Sequence, residues 1–359
     1  MTEIADRIED LTAGWFTEAL REGGTLPADA TVTEAECRFI GTGQLGSVVL
    51  AELRYSDGAG GPGTLVVKLP STDAGSRQLG AAVGVYAAEV LFYRHISPLI
   101  AASLPHTHWG EVEPEAGRFT LVLDDLSSQA QVGDMIAGAT LAQTHLAIDE
   151  LVKLQTSQWD TPELHKHPWL GDVARTQMLF AGVEAAVEPF VQRFGERVEP
   201  EHVDLLRQVA PHANRLTELI WRPPFVVCHG DYRLDNMLFG TAAGAPALTV
   251  IDWQTVRLGP PLLDAAVFLA SCVDTQLRRE NEQDLLTRYH AGITHARISD
   301  FTLADCQASY RNCSLYPFAL AVAMSVMLEQ TERGDAMWTR LVRGAADLVL
   351  DTNATAILD

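Results

Sequence analysis

The hydrophobic period changes a third of the way along this chain, and that change restricts the fold more than any other feature. Across residues 31–70 apolar and polar residues alternate, as in AECRFIGTGQLGSVVLAELRYS and TLVVKLP, with glycine-rich turns between them. A period of two is that of a strand with one covered face. We expect an antiparallel meander of three strands here, joined by two more in HTHWGEVE and RFTLVLDDL, which PEAG connects. Before those two, SRQLGAAVGVYAAEVLFYRHISPLI has helical spacing. After Asp124-Asp125-Leu126-Ser127 the pattern is helical to the end, apart from VVCHGDYRLDNMLFG and ALTVIDWQ. Strands in the first third and helices thereafter predict an α+β protein of two lobes. Residues 1–127 would hold a five-stranded antiparallel sheet, a leading helix over 3–22 and one main helix. Residues 128–359 would be mostly helical, with an extra helical segment near 160–215.

Composition removes several function classes. A chain of 359 residues with 47% hydrophobic content can bury a large core. Its net charge of −21 and the lack of any basic run argue against a nucleic-acid binder, which needs clustered Lys and Arg. The acid is dispersed, as a solvated surface would have it, although an acidic field also favours a cationic, polyamine-like ligand. Five cysteines, Cys37, Cys228, Cys272, Cys306 and Cys313, are odd in number and lack metal-ligand spacing. They suit free thiols in a reducing cytoplasm. The acidic, amphipathic N-terminus has the wrong chemistry for a secretory signal, and no apolar run approaches about 18 residues, so no membrane span is expected.

The chemistry gathers in a few short motifs. GTGQLGSVV places Gly41, Gly43 and Gly46 in a G-x-G-x-x-G turn followed by β-branched residues, which reads as a hairpin covering a nucleotide. A dinucleotide-binding turn would have to open a helix instead. Only three residues are lysines, and one of them, Lys68, ends the apolar run LVVK. An ammonium in a buried strand needs an anionic partner, and Glu89 on the following helix is the candidate. Asp231 and Asn236 lie five apart on the turn of HGDYRLDN, and Asp252 ends the apolar run LTVI. Two carboxylates and a carboxamide are oxygen ligands of the kind that hold Mg2+ on nucleotide phosphates. Each acid alone would read as an ordinary turn residue.

In this order, Gly41 to Val48, Lys68, Glu89, HGDYRLDN and IDW resemble the protein-kinase-like fold. The H-G-D form resembles its aminoglycoside phosphotransferase and choline kinase branch. VLDDL and HGDYRLDNMLF are similar to a bacterial phosphotransferase group with relatives among ecdysteroid kinase-like proteins. The resemblance spans residues 30–350 and rests on short motifs, of which H-G-D-x-x-x-x-N followed by I-D is the most specific. It implies an ATP- and Mg2+-dependent kinase acting on a small-molecule hydroxyl. Asp231 would accept the hydroxyl proton, Asn236 and Asp252 would hold Mg2+, and Lys68, supported by Glu89, would contact the α- and β-phosphates. The backbone of Leu123, Asp124, Asp125 and Leu126 would hold the adenine edge, and Arg233 would reach the γ-phosphate. A pseudokinase would be expected to lack one of these groups, and all are present. Only 11 residues separate Asp252 from Asp264 and no A-P-E follows, so the segment that docks a peptide in protein kinases is missing.

Other residues read as structural. Asp264, in GPPLLDAAVF, would brace the catalytic turn from a helix N-terminus. His229 would be a packing residue with a satisfied ring, and Trp253 a core residue. The pairs His106/His108 and His165/His167 have no further ligand at metal spacing and are expected at the surface.

Overall fold

The computed structural model describes residues 2–358 apart from 43–44, 57, 59 and 328–329. Its elements follow the change of period. After α1 (Ala13–Glu22) come β1 (Val32–Thr42), β2 (Gly46–Tyr55) and β3 (Thr64–Pro70), then α2 (Ala74–Ala82) and α3 (Val85–Leu91). β4 (Thr107–Glu113) and β5 (Arg118–Asp124) complete an antiparallel sheet in the order β1-β2-β3-β5-β4. One face of that sheet closes over α1, where Phe16, Ala19 and Leu20 meet Val49, Ala51, Leu65, Val67 and Val122 in a compact apolar cluster.

The predicted helix over 3–22 is shorter than expected. A 3-10 turn, Ile8–Asp10, precedes α1, and Thr12 caps α1 by accepting the N–H of Trp15 at 3.2 Å. Upstream of Thr12 the backbone is claimed by other groups. Asp10 accepts the N–H groups of Asp6 and Arg7, and Arg118 and Thr120 of β5 donate to the carbonyls of Ile4 and Ala5. The predicted helix after β3 is likewise broken, at Gly84, whose φ of +73° lies in the left-handed region that ends one helix before the next begins.

Beyond β5 the chain is mainly helical. A short strand β6 (Ala130–Val132) leads to α4 (Leu141–Thr156), and α5 (Ala174–Ala181), α6 (Val183–Phe194) and α7 (Pro200–Val209) form the extra helical segment. α8 (Leu216–Ile220) precedes β7 (Val226–Cys228), β8 (Met237–Gly240), β9 (Leu248–Val250) and β10 (Arg257–Gly259). β6, β8 and β9 make one small sheet, and β10 pairs antiparallel with β7. α9 (Leu263–Ser271), α10 (Thr275–His295), α11 (Leu303–Cys313), α12 (Leu315–Met327) and α13 (Glu332–Thr352) complete the fold. α3 belongs to the helical part as much as to the sheet, since Val85, Tyr86 and Val90 join the same continuous core as α9 and α12. Trp253 is fully buried and stacks on Phe92 with ring centroids 4.0 Å apart. No helix among the described residues is long and apolar enough to cross a membrane.

Candidate active site

The motif residues converge where β3, α3, the turn after β7 and the end of β9 meet. Lys68 sits between Val48 of β2 and Leu121 of β5, so the sheet fixes its backbone on both sides. Its Nζ donates to Glu89 Oε1 at 2.6 Å and to Asp252 Oδ1 at 2.7 Å. The Lys68 and Glu89 side chains are 17% and 3% exposed, so this is a largely desolvated ion cluster. Glu89 also accepts the N–H of Trp253 at 3.2 Å, which ties α3 to the residue after Asp252.

Two carboxylates share one ammonium here, and their proton affinities separate. Burial raises the Glu89 carboxyl above the usual range, with the Asp252 charge adding to it. Burial pushes Asp252 up as well, but the adjacent Lys68 ammonium holds it below the usual range. For Lys68, burial works downward and is outweighed by Asp252 and Glu89, which keep the ammonium charged. Asp252 has φ +67°, an uncommon conformation for a residue with a side chain, of the kind that marks functional turns.

The turn after β7 is held from below. Asp264, in the first turn of α9 and fully buried, accepts the N–H of His229 at 2.7 Å and of Gly230 at 2.9 Å. Burial raises the Asp264 carboxyl, and the His229 ring and the two N–H bonds pull the other way. The His229 ring is buried and engaged at both nitrogens: Nε2 donates to Ile251 O at 2.9 Å and Nδ1 accepts the N–H of Asp231 at 3.2 Å. Gly230 has φ +83°, and a β-carbon there would lie 2.5 Å from Thr255 O, so only glycine fits.

That scaffold presents Asp231. Its Oδ2 accepts from Arg233 Nε at 3.0 Å and from Asn236 Nδ2 at 3.0 Å, and Asn236 Nδ2 also donates to Asp231 O at 2.8 Å. The carboxamide orientation follows from these bonds and leaves Asn236 Oδ1 for another partner. Together with the ionised Asp252, it makes an all-oxygen donor set of the kind that suits Mg2+. Arg233 also lies 3.9 Å from Asp235 and 3.2 Å from Met337 Sδ, and the Asp231 charge raises its pKa.

Of the glycine-rich turn, Gly41 lies in β1, Gly46 opens β2, and Gly43 is outside the described residues. At the end of β5, Asp124 N–H donates to His106 O, and Leu126 O accepts from the N–H groups of Gln129 and Ala130. The Asp124 carboxylate accepts from His108 Nε2 at 2.8 Å, and His108 Nδ1 pairs with Thr25 Oγ1 at 2.8 Å. His108 is therefore buried, 5% exposed, and corrects the expectation of a surface residue. A register shift between Thr107 and Trp109 turns it inward. His106 and His165 are exposed, and His167 is half-buried.

The hydrogen bond from His108 holds the Asp124 carboxyl below its usual range. A depressed folded-state pKa adds stability above the unfolded pKa, about 4 for Asp, and loses it as pH falls through the folded value. Urea unfolding across pH should therefore find wild type more stable than Asp124→Asn at neutral pH, with the gap closing below about pH 4. A gap that persists unchanged in acid would contradict the role given to His108.

The residues from β2 to just past α10 match a known family. The model of the ecdysteroid kinase-like family matches residues 46–298, more than half of the chain. The chain belongs to that family. Among curated relatives of this ecdysteroid kinase-like protein, an uncharacterised kinase-like protein of Caenorhabditis elegans is 23% identical over 234 residues. That match covers 63% of this chain and 61% of the relative's length. Among solved structures, a protein of Ralstonia eutropha provisionally described as an aminoglycoside phosphotransferase aligns with TM-score 0.54 and 12% identity, covering 94% of this chain and 98% of that one. The choline kinase of Cryptosporidium parvum aligns with TM-score 0.52 and 9% identity, covering 89% of each chain. At these identities the structural likeness establishes a shared kinase-like fold.

Proposed function

We propose that this protein transfers the γ-phosphate of ATP to the hydroxyl of a small molecule in a Mg2+-dependent reaction. The observation that supports it best is the cluster in which Lys68 holds both Glu89 and Asp252 while Asn236, close by in the chain, holds Asp231. That arrangement offers a cation for the nucleotide's phosphates, an oxygen set for a metal and a carboxylate for the acceptor. Asn236 Oδ1 and the Asp252 carboxylate would hold Mg2+, which when bound neutralises charge on the phosphates.

The protein's own groups would then divide the work. Lys68, relieved of Asp252 by the incoming phosphates and kept in place by Glu89, would hold the α- and β-phosphates. The hairpin of Gly41 and Gly46 would cover them. The adenine edge would meet the backbone of residues 123–126 through the groups that His106, Gln129 and Ala130 do not occupy. Asp231, oriented by Arg233 and Asn236, would accept the hydroxyl proton as the new O–P bond forms. Arg233, which contacts Asp231, would reach the transferred phosphate. Of the 11 residues between Asp252 and Asp264, six form a 3-10 turn, Trp253–Thr255, and the strand β10, which pairs with β7. A small molecule is therefore the acceptor that fits.

The test is Mg-ATP binding by calorimetry in wild type and Lys68→Ala. The variant should bind at least tenfold more weakly, about 1.4 kcal/mol or more. Unchanged affinity in a folded Lys68→Ala protein would refute the assignment of Lys68 to the phosphates.

A further inference from the structure

Two guanidinium groups stand beside the turn that carries Asp231, and among the described residues neither forms an ion pair. Arg257 opens β10 and is 8% exposed. Its Nε donates to Thr255 O at 3.1 Å and its Nη1 to Thr176 Oγ1 at 2.6 Å. Nε and Nη2 lie 2.9 and 3.2 Å from where a β-carbon on Gly230 would sit, so the guanidinium rests against the residue that precedes Asp231. Arg175 is the neighbour of Thr176 in α5 and donates Nη1 to Val83 O at 3.2 Å, in the connection between α2 and α3. The Tyr316 ring lies 5.8 Å from Arg257 and is within electrostatic reach of Arg175 and Asp231 as well. Arg257 thus lies against a ring whose charge environment also includes Arg175, Asp264 and Asp231.

Three other enclosed arginines make ion pairs, whereas the half-buried Arg21 and Arg340 are held, like Arg175, by backbone carbonyls. Arg278 pairs with Glu282 and Asp351, Arg193 with Asp335, and Arg233 with Asp231. Near Asp231, the carboxylates Asp134 and Asp235 are matched by Arg333 and Arg233. Among the described residues neither Arg175 nor Arg257 has a carboxylate within 4.0 Å. Asp172, itself exposed, acts on Arg175 only from a distance, as the buried Asp264 does on Arg257. Burial, and then the charge of Arg257, draw Arg175 down to about 10, the direction expected where two cations are crowded without an anion. With carboxylates in large excess along the chain, two guanidinium groups that share no ion pair leave donors that an oxyanion between their forks would engage.

We propose that Arg175 and Arg257 bind an oxyanion carried by the acceptor, a carboxylate or a phosphate ester, so that the hydroxyl compound presented to Asp231 is an acid. This rests on the reading of Asp231 as the group that meets the acceptor hydroxyl. The cationic acceptor suggested by the chain's net charge is then the wrong one, because the local field at the site selects the ligand.

Calorimetric titration of the full chain, without nucleotide, tests this with glycerate, glycerol 3-phosphate and inorganic phosphate against glycerol and choline. The three anions should bind wild type, and glycerol and choline should not. Arg175→Gln, at a partly exposed site whose folding is checked by thermal denaturation, should bind the anions at least tenfold more weakly, and Arg175→Lys should recover part of the loss. In Lys68→Ala the anions should bind as in wild type, which separates this site from the one that takes the nucleotide's phosphates. Any of three results overturns the proposal. These are anion binding weaker than about 1 mM in wild type, equal anion affinity in wild type and Arg175→Gln, and loss of anion binding in Lys68→Ala with retention in Arg175→Gln. Since nucleotide is absent, anion binding can fail while Mg-ATP still binds, and the converse, so the two readings fall separately.

Discussion

Asp231→Asn should lower turnover by about 10²- to 10⁴-fold while Mg-ATP affinity stays within about threefold of wild type. The split follows from the geometry. Asn has nearly the shape of Asp and keeps an oxygen for Arg233 and Asn236, which both bind Asp231 Oδ2. It cannot accept the acceptor's proton. The Lys68 cluster, where the phosphates are assigned, makes its hydrogen bonds to Glu89 and Asp252 and none to Asp231. Steady-state rates and nucleotide titration on the same preparation measure both quantities. A folded variant that turns over like wild type, or that no longer binds Mg-ATP, would remove Asp231 from the role of base.

Asp264→Ala should be the most damaging single change for stability at the site. It leaves the N–H groups of His229 and Gly230 without an acceptor in a fully buried place, about 1–3 kcal/mol for each. A combined loss of about 2–6 kcal/mol should appear as a large fall in the urea midpoint. Asp264→Asn keeps one acceptor oxygen and should lose clearly less. Equal midpoints for Asp264→Ala and wild type would mean that the turn is braced by His229 and Thr255 alone, through the His229 Nε2 bond to Ile251 O and the Thr255 Oγ1 bond to His229 O.

How far the sequence reveals the site depends on whether the deciding contact is local. The change of period announces the sheet and the helices because it records which faces are covered. Lys68 stands out because a cation inside LVVK needs a partner, and Glu89 falls on the helix that supplies it. The second partner, Asp252, is 184 residues away and is visible only in the fold. His108 escapes the reading because a shift of strand register cannot be seen in HTHWGEVE. The helix expected over 3–22 shortens because Arg118 and Thr120, more than a hundred residues on, take its backbone carbonyls. Gly84 was legible as a helix breaker, being a glycine within the run GAAVGVYAAEV. Arg257 was legible too, since a cation in the apolar run TVRLG raises the same question as Lys68. Arg175 was not, because its place beside the turn that carries Asp231 depends on how α5 packs.

The central claim is tested most directly by following ADP release from Mg-ATP by the purified protein across hydroxy acids, phosphorylated alcohols, amino alcohols, aminoglycosides, sugars and hydroxylated lipids, with Asp231→Asn as the blank. We predict Mg2+-dependent turnover on one hydroxyl class that the blank lacks. A folded protein that releases no ADP with any of them, and whose melting temperature Mg-ATP does not raise, would contradict the kinase assignment.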